Sequence, residues 1–211
     1  MKINHFIDHT MLKADAGKDM IEKYCKEAVE NGFASVCVNT YYVPLAAKLL
    51  KGSKVKTCAV VGFPLGAMIS AAKAFEAEQA CICGAEEIDM VINIGALKDG
   101  DEDLVREDIK GVIKASKGAC VKVIIETCLL TREEKIRVCR LAVEAGADYV
   151  KTSTGFASGG AKEEDIRLMK ESVAGRAKIK ASGGIRTAGE AERMIEAGAD
   201  RIGTGNGMLL I

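Results

Sequence analysis

Two lysines occupy places in this sequence where a lysine is costly. Lys151 lies in Val150-Lys151-Thr152-Ser153-Thr154-Gly155-Phe156, and Lys180 lies in Lys178-Ile179-Lys180-Ala181-Ser182-Gly183-Gly184. Each stretch is a short β-like run that ends in a glycine turn. Lysine is almost never fully buried unless paired, and a buried ammonium tends to shed its proton. A lysine pair on successive strand-like runs therefore suggests chemistry with a neutral amine. A free lysine has a pKa of ~10.4, and bringing it to ~7 takes about 4.6 kcal/mol of differential stabilisation. A second ammonium ~6 Å away supplies roughly 2.8 kcal/mol at an effective dielectric of ~20, and desolvation can supply the rest. A neutral lysine amine condenses with a carbonyl to give an imine. The imine is an electron sink that lets a neighbouring carbon lose a proton or a C–C bond break. The residues alone leave open which lysine does which job.

Such chemistry also moves protons, through a carboxylate or a relayed water. The polar residues inside strand-like runs are Asp8, Asn39, Asp89, Asn93, Lys122, Glu126, Lys151, Ser153, Lys180 and Ser182. Alternate residues of a strand face one side, so Asp89 pairs with Asn93, Lys151 with Ser153, and Lys180 with Ser182. If these faces point inward, Asp89 sits between the two lysines and is the proton-handling candidate. The competing reading is a buried ion network that only holds the protein together.

The elements that must position these groups alternate strand, turn and helix. Strand-like runs fall at 6–8, 35–39, 55–61, 87–93, 121–127, 149–153, 178–182 and 201–204. The spacing of Met20, Ile21, Tyr24, Ala28 and Val29 predicts a helix over 18–31, stopped by Gly32. Further helices are expected from Pro44, over about 70–83, from the acidic stretch 99–103 to about 117, from Thr131 to just before Gly146, and over about 162–173 and 187–197. Thr131-Arg132-Glu133-Glu134 has the capping-box form. The junctions Gly84-Ala85-Glu86-Glu87, Ala145-Gly146-Ala147-Asp148 and Ala197-Gly198-Ala199-Asp200 mark one repeated βα unit. Eight strands and seven clear helices predict an α/β fold, a single-domain (β/α)8 TIM barrel over 1–211 with a truncated last helix at 206–211. The missing G-x-G-x-x-G weighs against an open nucleotide-binding sheet. Active sites of such barrels lie at the C-terminal ends of the strands, where both lysine runs end.

Glycines cluster after the last three strands: Gly155 with Gly159 and Gly160, then Gly183 and Gly184, then Gly203, Gly205 and Gly207. Backbone N–H groups in such turns, with helix N-termini behind them, form anion cradles. Phosphate is the expected anion, with Arg186 placed to add charge. Composition narrows the partners. Lys+Arg equals Asp+Glu and aromatics are 4% with no Trp, which argues against nucleic acid and anionic membranes. No apolar run approaches the ~20 residues of a membrane helix, and the N-terminus lacks a signal-peptide core. The eight cysteines, none in C-x-x-C, read as reduced thiols of a cytoplasmic protein. His5 and His9 have i, i+4 spacing without other metal-ligand signals, so no metal is expected.

Eight stretches in chain order carry a family resemblance: Asp8-His9-Thr10-Met11-Leu12-Lys13, Val36-Cys37-Val38-Asn39, Val60-Val61-Gly62-Phe63-Pro64-Leu65-Gly66, Glu87-Ile88-Asp89-Met90-Val91-Ile92-Asn93, Val123-Ile124-Ile125-Glu126-Thr127, Lys151-Thr152-Ser153-Thr154-Gly155-Phe156, Lys180-Ala181-Ser182-Gly183-Gly184-Ile185-Arg186-Thr187 and Arg201-Ile202-Gly203-Thr204. Together they resemble the deoxyribose-phosphate aldolases, a Schiff-base family of lyases of deoxyribonucleotide catabolism. The resemblance implies reversible cleavage of 2-deoxy-D-ribose 5-phosphate to D-glyceraldehyde 3-phosphate and acetaldehyde. It makes Lys151 the Schiff-base lysine, Lys180 the cation that activates it, and Asp89 the proton-handling carboxylate. It adds Asp8, Thr10 and Cys37 to the substrate site, beside Gly155, Gly183, Gly184, Gly203, Gly205 and Asn206. It implies no metal or organic cofactor, and a homodimer or homotetramer.

Two departures from the family pattern stand out. Gly203-Thr204-Gly205-Asn206-Gly207 replaces a Gly-Thr-Ser-Ser-Gly run, so backbone amides and Asn206 must hold phosphate without two serine hydroxyls. The chain ends at Ile211, whereas many relatives continue into a longer last helix or tail, some of which reach the active site to help proton transfer; lower turnover, or water doing that step, is the expectation here. The rival readings are a Schiff-base aldolase for another sugar phosphate, with Phe63, Phe156 and Asn206 shaping the pocket, and a silent barrel that only binds a phosphorylated metabolite.

Overall fold

The strand–helix alternation closes on itself. A computed structural model of the chain describes residues 2–211. Eight parallel strands form a closed barrel in sequence order: β1 (Ile7–Met11), β2 (Ser35–Val38), β3 (Lys56–Val61), β4 (Glu87–Val91), β5 (Cys120–Ile124), β6 (Tyr149–Lys151), β7 (Lys178–Ser182) and β8 (Arg201–Thr204). β8 pairs back onto β1 with Asp8 opposite Gly203. The helices are α1 (Lys18–Asn31), α2 (Val43–Leu50), α3 (Ser70–Ile82), α4 (Ile94–Lys98), α5 (Glu102–Ala115), α6 (Arg132–Ala145), α7 (Glu163–Val173) and α8 (Ala188–Glu196). All residues of β2 and β4 are buried, as expected for strands covered by helices on one side and a filled barrel on the other.

Local chemistry sets the boundaries. Gly32 ends α1 in the left-handed conformation at φ 64°, and its N–H returns to Ala28 and Val29. Thr131 opens α6 with a complete capping box: its Oγ1 accepts from the Glu134 amide at 3.2 Å, while Glu134 Oε2 accepts from the Thr131 amide at 2.7 Å. Several strand boundaries come out differently, β1 running on to Met11 and β5 ending at Ile124. β4 stops at Val91, because Asn93 Oδ1 accepts from the Ala96 amide and caps the short α4. β6 stops at Lys151, two residues before the expected end. The truncated last helix expected at 206–211 is a single 3₁₀ turn, Gly207–Leu209.

One buried pair anchors β4 from behind. Lys73 on α3 is fully buried; its Nζ pairs with Asp108 on α5 and donates to the Val91 carbonyl at 2.9 Å. The Lys73 ammonium thus meets both a carboxylate oxygen and a backbone carbonyl, as burial requires, and the outer helices are tied to the strand that carries Asp89.

Candidate active site

Asp89, on β4, is the hub of the barrel interior. Its Oδ2 accepts from Lys151 Nζ on β6 at 2.7 Å and from Lys180 Nζ on β7 at 2.7 Å. Its Oδ1 accepts from Lys122 Nζ on β5 at 2.9 Å and from the Cys58 thiol on β3 at 3.2 Å. Asp8, on β1, forms a second node. Its Oδ2 lies 2.5 Å from Lys180 Nζ, and its Oδ1 accepts from Ser35 Oγ at 2.7 Å and from the Arg201 guanidinium at 2.6 Å. Glu87 closes the lower edge, 2.6 Å from Lys122 and 3.3 Å from Arg201.

Charge balance sets the protonation of this network. Burial pushes the Asp89 carboxyl up, but Lys122, Lys151 and Lys180 outweigh it and hold Asp89 well below the usual carboxylate range. Asp8 behaves likewise through Lys180, Arg201 and Lys122. Burial pulls Lys180 down, yet Asp8 and Asp89 together raise it above its ordinary value. Lys122 is raised in the same way, against burial, chiefly by Asp89. Both carboxylates are therefore ionised, and Lys122 and Lys180 are fixed cations. Burial pushes the Cys58 thiol up, so it remains an S–H donor. Cys37 Sγ, Cys58 Sγ and an Asp89 oxygen lie within 4.8 Å of one another. A divalent ion there would face three lysine contacts on the same carboxylate, so the charges disfavour one.

Above this layer opens a cavity of about 510 Å³ at the C-terminal ends of the strands. Lys151, 3% exposed, is the one lysine of the network that reaches it. Thr10, Gly155, Gly183, Gly184, Gly203, Gly205 and Asn206 line it, and Arg186 lies at its exposed edge. Asp8, Asp89, Lys180 and Cys37 are fully buried beneath it. Cys37 packs with Leu12, Cys58, Val60 and Phe63 rather than lining the cavity. Phe63 and Phe156 meet edge to face at 5.2 Å.

The glycine turns are built for backbone exposure. Gly155, Gly183 and Gly184 have φ of 84°, 85° and 79°, where a Cβ is strained. Gly160 packs against the Gly183 turn so closely that a Cβ would lie 2.2 Å from the Gly183 carbonyl oxygen. Among the described residues, no protein oxygen accepts from the N–H groups of Gly183, Gly184 or Gly205. The N-terminus of α8 is less open than expected. Its capping box is complete, and Glu190 Oε2 already accepts from the Arg186 and Thr187 amides at 2.8 and 3.0 Å.

Sequence reasoning brought together Lys151, Lys180 and Asp89 but left Lys122, Glu87, Ser35, Cys58 and Arg201 without a role. Strand alternation puts Glu87 on the Asp89 face, and β5 sets Lys122 opposite Asp89. Glu126, buried in the left-handed region at φ 53°, supports the β6 loop: its carboxylate pairs with the Thr154 hydroxyl and accepts from the Thr154 amide at 3.2 Å.

A family model described as DeoC/LacD family aldolase matches residues 3–210. The chain is 60% identical over 210 residues to the deoxyribose-phosphate aldolase of Geobacillus sp. (strain WCH70), covering 99% of this chain and 94% of that one. Its fold is similar to that of QR15, an aldolase, with a TM-score of 0.95 at 44% identity, covering 99% of this chain and 93% of that one. It is also similar to the deoxyribose phosphate aldolase of Aeropyrum pernix, whose structure is described as a unique tetramer, with a TM-score of 0.92 at 31% identity, covering 99% and 88%. A cavity floored by a lysine on a buried carboxylate, together with full-length similarity to these proteins, makes the chain a member of the DeoC/LacD family of aldolases.

Proposed function

We propose that the protein cleaves 2-deoxy-D-ribose 5-phosphate reversibly to D-glyceraldehyde 3-phosphate and acetaldehyde through a Schiff base on Lys151. The observation that carries this is the placement of Lys151 Nζ, 2.7 Å from the ionised Asp89 and at the floor of the cavity, while Lys122 and Lys180 stay buried. Lys151 Nζ adds to the C1 aldehyde, and loss of water gives the iminium. The C3 hydroxyl then loses its proton, the C2–C3 bond breaks, and its electron pair moves into the C1–N system as an enamine. Glyceraldehyde 3-phosphate leaves. Protonation at C2 and hydrolysis release acetaldehyde and the free amine. Lys180, a fixed cation on the same Asp89 oxygen, opposes a second positive charge on Lys151. Asp89 handles the protons of these steps. Its basicity recovers once the Lys151 charge is spread over the imine. Thr10 and the Gly155, Gly183, Gly184, Gly203, Gly205 and Asn206 backbone hold the substrate, the free N–H groups of the last turns taking the phosphate.

Incubation with acetaldehyde and borohydride tests the reading. A reduced two-carbon adduct on Lys151 is expected, and its absence from that residue sinks the Schiff-base assignment. Cleavage of 2-deoxyribose 5-phosphate beside fructose bisphosphate separates this substrate from other sugar phosphates.

We also infer a homodimer or homotetramer in the cytoplasm. Tyr41, Leu65, Ile69 and Phe75 leave large apolar side chains exposed, and a tetramer is described for the Aeropyrum pernix relative. The eight cysteines are free thiols, which suits a reducing compartment. No helix among the described residues is long and apolar enough to cross a membrane.

A further inference from the structure

The loop after β8 is seated on a buried aromatic cluster that the proposed chemistry does not use. His9, on β1, is fully buried. Its Nδ1 accepts from the Gly207 amide at 3.1 Å, and its Nε2 lies 2.8 Å from Glu27 Oε2 on α1. A backbone amide can only donate, so Nδ1 carries the lone pair and Nε2 carries the proton that Glu27 accepts. The two contacts together select one neutral tautomer. Tyr24, also on α1, stacks on the His9 ring with centroids 4.0 Å apart, and its hydroxyl donates to the Gly205 carbonyl at 2.6 Å. Phe33 meets the same imidazole edge-on at 5.3 Å. A Cβ on Gly207 would come within 2.8 Å of Ile7, 2.9 Å of Phe33 and 3.2 Å of His9 Nδ1, so the loop rests directly on this cluster. Both loop contacts flank Asn206, and the Gly205 amide between them and Thr204 is free.

We propose that His9 and Tyr24 are positioning residues that hold the β8 loop in its anion-binding shape, and that protonation of His9 releases it. The proposal rests on the reading of that loop as the phosphate cradle. Glu27 and Lys23, both on α1, are the charged groups that face the ring; its neighbours across the sheet are Val36 and Thr204, both uncharged. Burial holds His9 below its ordinary range, against the Glu27 hydrogen bond that raises it. The neutral form therefore dominates at neutral pH. A proton on Nδ1 would point an N–H at the Gly207 N–H and remove the loop's acceptor. Anion affinity is therefore complete while His9 is neutral and falls as pH drops through its folded value, which lies below the ordinary ~6.5.

Sulfate is a suitable probe, because its charge does not change over this range and its binding needs no turnover. Titration calorimetry from about pH 7.5 down to the acid limit of the folded protein should show wild-type affinity falling toward acid by up to about fivefold, the equivalent of one net hydrogen bond. His9→Asn keeps an acceptor near the Nδ1 position without a titrating ring, and its sulfate affinity should vary less with pH. Tyr24→Phe should lower the ratio of kcat/KM for 2-deoxyribose 5-phosphate over unphosphorylated 2-deoxyribose by about fivefold. Parallel pH slopes in wild type and His9→Asn overturn the proposal, as does an equal loss on both substrates in Tyr24→Phe. If His9→Asn does not fold, the wild-type slope and the Tyr24→Phe ratio decide. A protein that binds sulfate with the His9-dependent slope but leaves the sugar phosphate uncleaved refutes the function proposed above and retains this inference. An active aldolase with identical slopes does the reverse.

Discussion

Lys180 and Lys151 share one oxygen of Asp89 but differ in everything else. Lys180 has a second carboxylate, Asp8, and no access to the cavity; Lys151 has one carboxylate and the cavity above it. Removing Lys180 leaves Asp8 with Arg201 alone and Asp89 with Lys122 as its one remaining cation besides Lys151, so the field at Lys151 becomes more negative. Lys180→Met should therefore move the half-point of borohydride trapping to higher pH, and an unchanged profile would count against its activating role. Lys122 is bound to both Glu87 and Asp89. Its replacement by Met breaks two buried ion pairs and should cost about 3–5 kcal/mol in urea unfolding. At this scale the sequence was informative where a residue type was out of place. A lysine in a β-branched run is such an anomaly, and both lysines that share Asp89 Oδ2 were found that way. Lys122 has the same signature, but alternation within one strand says nothing of which residue faces it on the next. Cys58 carried no signal, since a thiol that donates to a carboxylate reads as a small apolar residue.

Helices and strands were legible where their ends are set by local chemistry. α1, β7 and β8 fall at the expected residues, and the Thr131 capping box is formed. Thr131→Ala should cost about 1 kcal/mol of stability by thermal unfolding with trapping at Lys151 retained. The misjudged elements fail for a shared reason. Ile92-Asn93-Ile94 alternates like a strand, but Asn93 is a cap, and its side chain turns the chain into α4. Beyond Lys151 the expected strand gives way to a loop held by Glu126, a contact 28 residues away. The Gly183 turn shows the same dependence on distant chain. Gly160→Ala forces that turn to move and should raise KM for the phosphorylated substrate more than it lowers kcat, as steady-state kinetics would show.

For the molecule as a whole, the buried charges fix the pH window of stability. Asp8 and Asp89 are held below their unfolded value of ~3.9. Their contribution is therefore complete above that value and is lost as pH falls through the folded ones. Lys180 is raised, so its contribution is complete below ~10.4 and fades only at higher pH. His9 is lowered, so the folded state resists its protonation and stability declines from about pH 6.5 downward. Melting curves should show two acid stages, the upper one absent in His9→Asn. Light scattering should return two or four times the 22.4 kDa chain mass. The barrel class was legible from repetition alone; the assembly was not, because nothing in one chain's pattern specifies a partner.

Closure of β8 onto β1 has a consequence for synthesis on the ribosome. Asp8 is made 193 residues before its partner Arg201. At about 5–20 residues per second, that separation leaves Asp8 waiting roughly 10–40 s for its guanidinium. During that time the nascent barrel lacks a wall, and on the proposed mechanism no poised amine should face an aldehyde. On that mechanism, nucleophilic competence should arrive only once β8 is free to close on β1. Ribosome-bound chains halted before Arg201 should take up no borohydride-trapped acetaldehyde, whereas released full-length chains should.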